Sequence, residues 1–106
     1  MTNPPRSILD IQADTARLLR EKIAQREELK TKLKESLEEI IANVERALLR
    51  IREMPQSSAI IARRTALEKQ VVACQQEILR EERECWRDVA AVEVQLREVE
   101  TARALL

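Results

Sequence analysis

Once its first few positions are passed, this 106-residue chain breaks helix-forming sequence in one stretch only, Met54-Pro55-Gln56-Ser57-Ser58, close to the midpoint. Pro55 has no backbone N–H to donate, and its ring clashes with the carbonyl four residues back. Ser57 or Ser58 can accept from the unpaired amides of a new first turn. One helix therefore stops here and another starts. The expected organisation is an extended tail over 1–6, a first helix over 7–54, a turn over 55–58 and a second helix over 58–106, all in one domain. At the other end of the first helix, Pro4 and Pro5 hold the chain out of a helix, and Ser7 followed by Asp10 resembles a capping box.

The apolar pattern sets how the helices pair. Leu33, Leu37, Ile40, Val44, Ala47, Ile51 and Met54 advance by alternating steps of four and three, the spacing of a heptad seam. Upstream, Leu19 and Ile23 fit the same frame, but the next two seam positions are Arg26 and Lys30. In the second helix, Ile60, Leu67, Val71, Cys74 and Ile78 share one frame, and Cys85, Val89, Val92, Leu96 and Val99 share another. Joining them needs an extra step of four across Glu81 and Glu82, a stutter. Folding the chain back at Gln56 and shifting by one helical turn brings basic Arg26 and Lys30 beside acidic Glu81, Glu82 and Glu84. The matched defects favour an all-α, antiparallel two-helix coiled-coil hairpin over one kinked helix, with arms of about 70 Å.

Composition narrows the function. With no Gly, the chain lacks the residue on which phosphate-cradling loops and nucleophile elbows depend. With no His, it offers neither a common general base nor the Glu-x-x-His ligands of a di-metal bundle. Pairs such as Glu38-Glu39 diverge around the helix axis. No enzyme activity, cofactor, metal site or small-molecule substrate is expected. Cys74 and Cys85, about 16 Å apart on one helix, cannot bridge each other and read as small apolar residues of a reduced core. No run approaches the roughly 18 apolar residues of a membrane span, and the start lacks a signal-peptide core, so an intracellular protein, cytoplasmic or nuclear, is expected.

A hairpin needs only its inner stripe, yet apolar residues recur outside it. Ile41 and Leu48 on the first helix, and Val72, Leu79, Trp86 and Val94 on the second, form a second stripe wide enough for a four-helix bundle. A homodimer of hairpins is the simplest cover for it, and another helical protein the next. Trp86, the sole aromatic residue, reads either as a plug over the loosened acidic stretch or as an interface anchor.

The charge balance of 19 against 19 also hides a basic tip. Around the turn, Arg46, Arg50, Arg52, Arg63, Arg64 and Lys69 face only Glu53 and Glu68. These arginines read as a solvated helix end whose stems cover Ile51, Ile60 and Ile61, or as a docking site. Nucleic acid is the weakest ligand for such a site, since no aromatic residue stands there to stack on bases. The expected function is a non-enzymatic scaffold or adaptor that self-associates and docks partners through its side stripe, ends or tip. The alternatives are a stalk-like accessory of a secretion or motor assembly, similar to such proteins in general form only, and a tip-mediated binder of cytoskeletal polymer or nucleic acid.

Overall fold

Ser7 opens the first helix by filling two roles at once. Its hydroxyl accepts from the Asp10 N–H at 3.1 Å, and its carbonyl accepts from Ile11 N–H at 3.1 Å. Asp10 places a negative charge in the first turn, where the helix dipole favours it. The computed structural model describes residues 7–105; the expected tail over 1–6 and the terminal Leu106 lie outside them. Two helices fill the described residues, α1 at Ile8–Arg52 and α2 at Ser58–Leu105. They run antiparallel as an all-α helical hairpin.

Helix α1 ends at Arg52, two residues short of the expected Met54. The cause is Pro55, which disfavours helical geometry at the residue before it and leaves the Ile51 carbonyl without its usual i+4 donor. The last turn tightens instead: Glu53 N–H donates to Arg50 O at 3.2 Å and Met54 N–H to Ile51 O at 3.1 Å. The Gln56 side-chain amide completes the cap, donating to Met54 O at 2.9 Å and more weakly to Ile51 O at 3.4 Å. Its other end, Oε1, accepts from Arg64 Nη1 of α2 at 3.4 Å. Ser57 then caps α2, accepting from Ile60 N–H through its hydroxyl at 3.2 Å and from Ile61 N–H through its carbonyl at 2.9 Å. Among the described residues none has a positive φ, so the chain reverses without the left-handed residue that a glycine would supply.

The chain divides into two compact units, one of Lys30–Arg83, which holds the turn, and one of Met1–Leu29 with Glu84–Leu106. In the turn unit, Val44, Leu48 and Ile51 are buried, and Leu37 and Ile41 are half-buried, at alternating steps of four and three. Ile60, Leu67, Val71, Cys74 and Ile78 of α2 are half-buried. The inward row differs from the expected one: Ile41 and Leu48 lie within it, while Leu33, Ile40 and Met54 are 38%, 40% and 46% exposed. Both frames share Leu37, Val44 and Ile51. The observed one turns Leu48 inward in place of Ala47 and so buries about three more carbons, worth about 2 kcal/mol.

In the other unit, Ala16, Cys85 and Val92 are buried, and Leu19, Ile23, Val89, Leu96 and Val99 are half-buried. The Cys85 thiol points at the Arg26 carbonyl at 3.9 Å. Both cysteines are free thiols.

Candidate interaction surfaces

Arg26 does occupy the inward row of its unit, with its side chain only 19% exposed and its Nε donating to Asp88 Oδ2 at 2.8 Å. The same unit also joins Arg20 to Glu100. In the turn unit, Lys30, Glu81 and Glu82 are half-buried, and Lys34 Nζ lies 3.2 Å from Glu82 Oε1. Asp88 and Lys34, neither of them among the expected seam residues, thus supply an acidic partner to Arg26 and a basic partner to Glu82. Along α2 the inward positions Glu81, Cys85 and Val89 step by four twice, which is the stutter. Along α1, Arg26, Lys30 and Lys34 do the same, a feature not expected from the seam.

The proposed partner-facing residues separate into two groups. Ile41 and Leu48 lie on the inward row of the turn unit, Ile41 half-buried and Leu48 8% exposed. Val72 and Leu79 remain on the outside of that unit, 49% and 57% exposed. In the other unit Trp86 is 74% exposed and Val94 45% exposed. At that exposure Trp86 is not buried over the acidic stretch. Leu49, to which the heptad pattern assigns no role, is 58% exposed in the turn unit. It lines a groove with Glu45, Leu48, Arg52, Glu68 and Val71. Once Leu48 faces inward, its neighbour must turn about 100° away from it, so the missed signal lay in the choice of frame.

The basic residues around the turn are not equivalent. Arg64 is held within the fold by Gln56 and by Glu68, whose Oε1 lies 3.7 Å from its Nε. Arg46 donates to Asn43 on its own helix. Arg50, Arg52, Arg63 and Lys69 are exposed. Arg50 and Arg52 fall in the last turn of α1, where the helix dipole favours positive charge.

Among the described residues, no group of three or more Cys, Asp or Glu is arranged to hold a metal ion, and no helix is long and apolar enough to cross a membrane. Comparison with known proteins finds no matching family model, curated protein or solved structure.

Proposed function

We propose that this chain is a non-enzymatic scaffold or adaptor, a helical hairpin that self-associates, with a four-helix bundle as the assembled form, and presents its remaining surface to partner proteins. The carrying observation is surface area. The chain exposes 8272 Å², whereas a compact monomer of its 12.3 kDa exposes about 6,100 Å². Residues 1–6 and 106 in any conformation could supply at most about half of that excess. The rest is larger than the roughly 800 Å² per partner of a standard interface.

The character of that surface supports the same reading. Among the described residues fifteen large hydrophobic side chains are exposed, and no large side chain is fully buried. Val72 and Leu79, seven residues apart on one face of α2 and both exposed, line up as an outer apolar stripe of the kind that marks an interaction site. The two free thiols fit a reducing compartment, so the proposed location is intracellular. Exposed Arg50 and Arg63 favour a second reading in which the tip docks an acidic protein surface.

Sedimentation equilibrium tests the main reading, which expects a dimer that Leu49→Asp or Val72→Asp converts to monomer with helicity retained. A wild type that stays monomeric at tens of micromolar would contradict it. The second reading expects salt-sensitive binding to an acidic partner that Arg50→Glu with Arg63→Glu abolishes.

A further inference from the structure

The groove of the turn unit has a symmetry that the exposed stripe alone does not reveal. On α1, Glu45 stands three residues before Leu48 and Arg52 three residues after Leu49, so the run Glu45-Arg46-Ala47-Leu48-Leu49-Arg50-Ile51-Arg52 has one oppositely charged mirror pair, Glu45 and Arg52, about its leucines, while Arg46 and Arg50 mirror Ile51 and Ala47. Seven residues separate Glu45 from Arg52, which places both on one face of the helix. Both are exposed, and both line the groove together with Leu49. Among the described residues neither has an ion-pair or hydrogen-bonding side-chain partner, whereas Glu68 on the opposite rim is engaged by Arg64.

We infer that this groove seats a second copy of the chain across a twofold axis between Leu48 and Leu49, bringing Glu45 of each copy to Arg52 of the other. The inference rests on the self-association proposed above and assigns its face and direction. A twofold axis at that point runs the two α1 helices antiparallel and repeats each contact twice. Leu49 of one copy then enters the groove floored by Leu48 and Val71 of the other. A parallel arrangement through the same residues would set Glu45 against Glu45 and Arg52 against Arg52, so the charge pattern selects the antiparallel one. Val72 flanks the groove through Glu68, which also lines the adjoining depression that Val72 lines. The same contact therefore reaches the edge of the exposed α2 stripe.

Charge reversal tests the assignment. Glu45→Arg and Arg52→Glu each turn two attractions into two repulsions, and each is expected to weaken self-association at least about tenfold with helicity unchanged by circular dichroism. The equimolar mixture of the two variants is expected to associate as a heterodimer to within about threefold of wild type, because each then meets its complement twice. The double variant is expected to recover in the same way. Single variants that associate like wild type overturn the assignment, as do single variants that dissociate and recover neither in the mixture nor in the double variant. In both cases a dimeric wild type leaves the broader reading standing. A wild type that is monomeric throughout overturns both, the groove then being open to a different protein.

Discussion

Gln56 is the residue on which the reversal of the chain depends. A chain without glycine must end α1 by other means, and one side-chain amide serves two carbonyls of that end while accepting from Arg64 of α2. Gln56→Ala removes all three contacts from a partly exposed site, where each is worth a fraction of the roughly 1 kcal/mol of a typical hydrogen bond. The expected loss of about 1 kcal/mol lowers the melting temperature by about 4 to 8 °C, measurable by thermal denaturation of a variant that stays helical. Ser57→Ala is expected to lose a similar amount through its N-cap bond. The serine caps could be read from the sequence, because a serine ahead of an apolar run has one common use. Gln56 could not, since a glutamine beside a proline has many uses and only the bent geometry brings its amide to Ile51 and Met54. The two cysteines also differ in exposure, Cys85 being 3% exposed and Cys74 half-buried. A thiol reagent is therefore expected to label Cys74 well before Cys85, and equal rates would show that the packing around Cys85 opens readily.

At the scale of the helix, the choice of frame is the testable point. Leu48 is 8% exposed and Leu33 is 38% exposed. Leu48→Ala should therefore cost about 2 to 4 kcal/mol and Leu33→Ala less than about 1 kcal/mol in chemical denaturation, whereas the frame expected from the sequence predicts the reverse order. The existence of two helices and the place of their break were legible, because proline chemistry and the alternation of three and four are strong signals. The exact inward row was not. Ile40 and Ile41 are chemically alike, and the pattern is satisfied by either; what separates the frames is the packing of Leu48 in place of Ala47. The polar defect was legible as a defect, with Arg26, Lys30, Glu81 and Glu82 all at least half-buried. The pair of Arg26 with Asp88 was not legible, because Asp88 is exposed and lies outside the seam, where a heptad count gives it no role.

At the scale of the whole molecule, the hairpin covers little of its apolar surface. Among the described residues six hydrophobic residues are buried and fifteen large ones are exposed, which is what the proposed self-association would cover. Leu49 carries the clearest consequence: at 58% exposure, Leu49→Asp should leave the fold intact and weaken association. The excess of apolar stripe was visible in the sequence, but its division between inner row and outer surface was not. Ile41 and Leu48 moved inward, and Leu49 took their place on the outside. The most direct measurement is the mass of the wild-type chain by sedimentation equilibrium across a range of concentrations. The account predicts a species of twice the 12.3 kDa chain mass that dissociates on dilution; the mass of a single chain at every concentration would contradict it.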